Sequence, residues 1–223
     1  MEECRQLRRF NPLKSDCYYD LNKSLTEELT KIKKNFGKKR VLDIGAGEIP
    51  FLEYYKGLNV ETADIQQNSQ NTINHLIKAG EGLPFEDGSY DVIFIFDVLE
   101  HIADDKFFIK ECSRILTERG VIVSNTPFMY RFHEEPYDYR RYTPSGLKYI
   151  FETVGGFKIK KITPIGSVFF SASKLILERD FKLSLFRRVV YRFVAILLLK
   201  FNIFKEVSMR NPFSYFVYVE KLK

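Results

Sequence analysis

The chain is poor in the residues that most often announce a function. Its 223 residues hold only three cysteines and three histidines. Cys4, Cys17 and Cys112 have neither disulfide nor ligand spacing, which excludes a disulfide-stapled scaffold and suits a reducing cytosol. His75, His101 and His133 share no ligand spacing either, so no metal site is expected from the sequence. Long apolar runs are absent. The longest, Phe193–Leu199, has seven residues, against the ~18 needed to read a membrane span. The first ten residues, MEECRQLRRF, contain no apolar run and do not read as a signal peptide. The third glycine of a dinucleotide fingerprint is also missing, because Pro50 occupies its slot. An N-P-P-Y-type motif after the fourth strand and an appended RNA-binding segment are absent too, which argues against an RNA substrate despite a net charge of +6. That charge otherwise reads as a lysine-rich surface, or as preparation for an anionic substrate or membrane face.

What is present centres on Val41-Leu42-Asp43-Ile44-Gly45-Ala46-Gly47-Glu48-Ile49-Pro50. Three apolar residues around one acid read as a buried strand. Two glycines at alternate positions let backbone approach a ligand, and Pro50 suits a first helical turn. Strand, glycine turn and helix start together make a nucleotide site. Asn59–Asp64 reads as the next strand and ends on an acid, where doubly wound folds accept hydrogen bonds from ribose hydroxyls. A weak strand follows near Ile73–Lys78. Val92–Asp97 is a nearly continuous apolar run, the pattern of a central strand buried on both faces. A helix is expected over about 104–117, strands at Val121–Ser124, Phe157–Thr163 and Phe213–Lys221, and a helix from Thr143 to about Thr153. Ahead of the core, Leu21, Leu25, Leu29 and Ile32 set out a helix over about 16–35.

The acid followed by Ile44-Gly45-Ala46-Gly47 is similar to motif I of the class I S-adenosylmethionine (SAM)-dependent methyltransferases. Leu83-Pro84-Phe85-Glu86-Asp87-Gly88-Ser89-Tyr90-Asp91, then Asp97-Val98-Leu99-Glu100-His101-Ile102, then Arg114-Ile115-Leu116-Thr117-Glu118-Arg119-Gly120 resemble, in order and spacing, the small-molecule members of that group. The resemblance spans about 38–126. It implies an α/β fold: a Rossmann-like seven-stranded sheet of order 3-2-1-4-5-7-6, strand 7 antiparallel, with helices on both faces. It implies S-adenosyl-L-methionine as cofactor, held by Asp43, Gly45, Ala46, Gly47, Asp64, Ile65, Gly80, Glu81, Gly82, Leu83, Asp97 and Val98. One position departs: the acid that commonly bonds adenine four residues before Leu-Pro-Phe is Ala79 here, which leaves adenine to Gly80-Glu81.

The acceptor side falls after the fifth strand. His133 and His101 are the candidate bases for an oxygen nucleophile, with Glu134 and Asp138 as partners or alternative bases. Tyr137, Tyr139, Arg140 and Arg141 are the candidate substrate-binding residues, the arginines for phosphate or carboxylate or tied up in local ion pairs. The run His133-Glu134-Glu135-Pro136-Tyr137-Asp138-Tyr139-Arg140-Arg141-Tyr142 resembles methyltransferases associated with bacterial and archaeal surface-glycan synthesis. One domain is expected over 1–223: a helical cover at 1–37, a SAM core at 38–165, a basic apolar insertion at 166–211 and a terminal strand at 212–223. Within the insertion, 181–201 is basic and apolar, and reads as a lid, a homodimer face or an interfacial helix on an anionic membrane. The expectation is a cytoplasmic enzyme, peripheral at the inner membrane face, that O-methylates a sugar, a lipid-linked glycan or a similar acceptor. A soluble metabolite or quinone-like ring is the alternative, and a non-catalytic SAM-binding module the other.

Overall fold

The computed structural model describes residues 19–49, 51–168, 170–172 and 207–223, with 190, 193 and 194. In chain order these form α1 (Tyr19–Lys33), β1 (Arg40–Ile44), α2 (Leu52–Tyr55), β2 (Asn59–Asp64), β3 (His75–Leu76), β4 (Tyr90–Phe96), α3 (Asp105–Ile115), β5 (Leu116–Pro127), α4 (Pro144–Lys148), β6 (Phe157–Ile165) and β7 (Ser214–Lys221). A 3₁₀ turn at Leu99–His101 follows β4, and a π turn at Tyr149–Val154 extends α4. The seven strands make one sheet of order β3-β2-β1-β4-β5-β7-β6. The pairs among β1 to β5 are parallel, and β7 runs antiparallel to both β5 and β6. This is the order that the resemblance implies. Parallel pairing puts the carboxyl ends of β1, β2, β4 and β5 along one edge, where doubly wound sheets bind ligands.

The central strands are apolar on both faces because both faces are covered. Leu42, Ile44, Ile93, Ile95, Ile122, Tyr215 and Val217 pack with α3 residues Ile109, Cys112 and Ile115 on one face. Val41, Val92, Phe94, Phe96, Val123 and Phe216 pack with Leu25, Leu29, Tyr54 and Tyr55 on the other. Helix α3 forms because Asp104 caps it, accepting from the Phe107 N–H at 3.0 Å. Its buried Phe108, Ile109, Cys112 and Ile115 follow helical spacing. On α1, the buried Glu28 pairs with Lys31 at 2.7 Å and with Lys161 of β6, which ties the helix to the sheet.

Phe94 is the hub of the second face. It is fully buried, its ring stacks on Tyr55 at 6.0 Å, and it lies 5.8 Å from Phe36 and 5.3 Å from Phe96. Phe94→Ala is therefore expected to cost about 3–5 kcal/mol, seen as a lowered urea midpoint at unchanged slope.

Several bounds differ from expectation. The third strand shrinks to two residues, His75 and Leu76. The fifth starts at Leu116, because Leu116 pairs with Tyr90 across a bulge before the Val92–Val121 register. The helix after Thr143 keeps its cap, Gly146 N–H to Thr143 Oγ1 at 3.1 Å, but turns π from Tyr149. The basic apolar segment 181–201 lies outside the described residues apart from Val190, Phe193 and Val194, which are exposed. Among the described residues no helix is long and apolar enough to cross a membrane.

Candidate active site

The loop after β1 is shaped by backbone. Gly45 and Gly47 have φ of +73° and +51°, values that favour glycine. A Cβ on Gly45 would sit 2.3 Å from Val98 Cγ2, so the glycine lets the β4 edge close on the loop. On Gly47 a Cβ would meet nothing within 4 Å, so this peptide borders open space. Gly45 N–H and Ala46 N–H donate to the Ala63 carbonyl at 2.8 and 3.3 Å, pinning the loop to the end of β2. There the Asp64 carboxylate accepts from Gly47 N–H at 2.9 Å through Oδ2 and from Gln66 N–H at 3.3 Å through Oδ1. Each oxygen keeps a lone pair, enough for the two hydroxyls of a ribose. These residues fit the adenosyl and methionyl parts of SAM.

Asp43 sits beneath the loop, buried, with one carboxylate oxygen taken by the Tyr55 hydroxyl. Burial pushes its carboxyl up to about 7, against the pull of the Tyr55 bond and with the Asp64 charge adding to the rise. The segment before β4 is clamped from α3. Glu111 Oε2 accepts from Leu83 N–H at 2.9 Å, and Arg114 donates to the Leu83 and Phe85 carbonyls at 2.9 and 2.8 Å. Ahead of that clamp, Glu81 N–H donates to the Lys78 carbonyl at 3.3 Å, a Cβ on Gly82 would lie 3.1 Å from Glu111 Oε2, and one on Gly80 would meet nothing within 4 Å. Asp97 closes β4 with φ of +56° and accepts from Asn125 Nδ2 at 2.6 Å. Ile65 is exposed next to Asp64.

The acceptor-side loop folds back onto the 3₁₀ turn. His101 Nε2 and His133 Nε2 lie 3.2 Å apart, although 32 positions separate them in the chain. His101 Nδ1 is 3.0 Å from the Tyr137 carbonyl, and His133 Nδ1 is 3.1 Å from Asp138 Oδ2. The Asp138 side chain is buried. Burial would raise its carboxyl, but the Arg141 hydrogen bond, backed by the His133 N–H, holds it down at about 2. Burial pushes the His133 imidazole below its ordinary value, against the pull of Asp138. Glu100, wholly buried, points at the pair: its Oε1 lies 3.8 Å from His101 Nε2 and 3.9 Å from His133 Nε2 and has no hydrogen-bond partner. Burial, then the Asp97 charge, pushes the Glu100 carboxyl well above the carboxylate range.

His101 and His133, both expected as bases, are thus brought together. Their chain spacing shows no ligand pattern, yet the fold sets them around a third ligand-type side chain. That side chain is Glu100, which is not among the sequence candidates; it directly precedes His101 in the 3₁₀ turn after β4. Tyr137 and Tyr139 are exposed, as substrate contacts need to be. The two arginines are already engaged. Arg140 pairs with Asp105 at 2.5 Å and donates to the Ala103 carbonyl at 2.7 Å, and Arg141 grips Asp138 with both terminal nitrogens and donates to the Arg131 carbonyl at 2.9 Å. They brace the loop, and the expected phosphate contact has no geometric support from them.

Comparison with known proteins agrees with this geometry. Residues 42–124 match the methyltransferase domain family. A probable S-adenosylmethionine-dependent methyltransferase of Mycolicibacterium smegmatis is 34% identical over 79 residues, 33% of this chain and 31% of that protein. A ubiquinone biosynthesis O-methyltransferase of a Chelativorans species is 27% identical over 131 residues, 53% of this chain and 52% of that one. The chain spans between 31% and 62% of the first curated relatives it matches. Among solved structures, the [4+2]-cyclase SpnF superposes with a TM-score of 0.61 at 14% identity, over 95% of this chain and 86% of that one. A likeness at that identity shows the fold alone, and this fold also carries chemistry other than methyl transfer. Residues 42–124 thus match a methyltransferase domain, and the sheet has the strand order that the resemblance to class I SAM-dependent methyltransferases implies.

Proposed function

We propose that the chain transfers the methyl group of SAM to an oxygen of a small hydroxylated acceptor, of the sugar or lipid-linked glycan class. The observation that carries this reading is the His101–His133 pair at 3.2 Å, backed by Glu100 and Asp138. Methyl transfer from a sulfonium needs mainly alignment. An oxygen nucleophile also needs its proton removed, and this cluster at the ends of β4 and β5 is built to handle one. Exposed Tyr137 and Tyr139 offer faces for a sugar or ring. A quinone-like ring is the second reading, favoured by the name of the Chelativorans relative. The membrane part of the proposal rests on the composition of 181–201. Incubation with methyl-tritiated SAM against glycans, lipid-linked glycans, quinones and amines tests the reading. Label in an O-methyl product supports it, and label only in amines overturns it.

Asp43 gives this reading a pH dependence. Free Asp43 holds its proton up to about 7. The sulfonium and ammonium of bound SAM favour the carboxylate, so binding expels that proton and is weaker wherever the proton is held. SAM affinity is expected to rise as pH increases through about 7, and to flatten in Asp43→Asn. Calorimetry in two buffers of different ionisation enthalpy reads the released proton directly.

A further inference from the structure

The fold brings three ligand-type atoms together, Glu100 Oε1, His101 Nε2 and His133 Nε2. The Tyr137 carbonyl can only accept, so His101 carries its proton on Nδ1. His133 Nδ1 lies 3.1 Å from Asp138 Oδ2 and 3.5 Å from Arg141 Nη2; the tautomer with its proton on Nδ1, toward the carboxylate, leaves Nε2 bare. In that tautomer both Nε2 atoms present lone pairs, facing each other at 3.2 Å. Glu100 Oε1 completes the triangle, buried and without a partner. Its 3.8 and 3.9 Å separations from the nitrogens exceed hydrogen bonding, so a proton on Glu100 bridges to neither.

A metal ion would bridge them. The point equidistant from atoms separated by 3.2, 3.8 and 3.9 Å lies about 2.1 Å from each, the length of zinc–nitrogen and zinc–oxygen bonds. We propose that Glu100 Oε1, His101 Nε2 and His133 Nε2 bind a divalent transition-metal ion of the zinc class. Two imidazoles and one carboxylate favour zinc, iron(II) or cobalt(II) over magnesium and calcium. The outer bonds are of the supporting kind: an imidazole N–H donating to a carboxylate or carbonyl orients the ring and raises its basicity. Three protein ligands leave a position open, as in reactive rather than structural sites. Glu134, exposed, brings Oε2 to 3.7 Å from His101 Nε2 and adds negative charge on the solvent side.

The site rests on geometry alone; its part in the reaction rests on the O-methyl transfer reading above. In that reading the open position takes the acceptor hydroxyl. The O–H proton leaves to water, the oxygen bonds the methyl carbon, the carbon–sulfur bond breaks, and the neutral thioether S-adenosylhomocysteine departs. The ion then replaces direct proton capture by His133.

The test is to strip the full chain with a chelator and titrate it with cobalt(II), reading visible d–d absorption, then to displace cobalt with zinc in a calorimeter. One ion per chain is expected, with bands of a four- or five-coordinate centre. Glu100→Gln and His133→Asn should abolish the bands at stoichiometric metal, and Asp138→Asn should weaken binding about 10–100-fold. His75→Ala, which leaves the three proposed ligands in place, should keep them; circular dichroism confirms that each variant is folded. Absence of bands in the stripped chain, or equal bands in folded Glu100→Gln and His133→Asn, overturns the site. Methyl transfer by a chain that binds no metal would refute the site and leave the O-methyl transfer reading standing. Metal binding without transfer to any oxygen acceptor would do the reverse.

Discussion

Asp64→Ala is expected to weaken SAM binding at least a hundredfold. Its carboxylate is the one acid at the end of β2, and it both holds the Gly47 N–H at 2.9 Å and keeps lone pairs for ribose hydroxyls. Hydrogen bonds to a charged acceptor contribute about 1.5–3 kcal/mol each, so losing two corresponds to two or more decades in affinity. The alanine also strands the Gly47 N–H and loosens the loop. Asp64→Asn keeps the size and one acceptor, and is expected to fall between alanine and the native chain. Calorimetry with SAM measures all three; equal affinities would remove Asp64 from the site.

The second large effect is on turnover. His133→Ala is expected to lower the rate of methyl transfer by about 10²–10⁴, the range for a positioned group that handles the nucleophile's proton. SAM affinity should stay within about twofold, because the loop after β5 reaches the acceptor side rather than Asp64 and Gly47. A split of that kind, with the rate lost and binding kept, separates a role in the reaction from a role in folding. A variant with full turnover on the true acceptor would show that His133 is not used. The direction is the same whether the imidazole takes the proton itself or holds an ion that acidifies the hydroxyl.

The two halves of the site were not equally legible in the sequence. The cofactor half is local: β1, its glycine turn and the acid ending β2 lie within about 25 residues, and each signals through composition. A continuous apolar run marked β4, which is buried on both faces, and alternation marked β7. The acceptor half is long-range. His101 and His133 meet only because β5 carries the chain out and the following loop folds back, with Arg141 gripping Asp138 and Arg140 gripping Asp105 of α3. Nothing in the spacing of Arg140 points to Asp105, 35 residues earlier on another element. Glu100 is harder to read for a related reason: the burial of its Oε1 without a hydrogen-bond partner is an outcome of packing. The π turn after α4 and the two-residue β3 are likewise outcomes of packing that periodicity does not carry.

The most direct test of the account is a crystal structure of the full chain with S-adenosylhomocysteine. The ribose hydroxyls are expected on the Asp64 carboxylate, the methionyl part along Gly45–Gly47, and the sulfur directed toward His101 and His133. Density for the ligand away from this edge, or a sulfur directed away from the histidine pair, would contradict it.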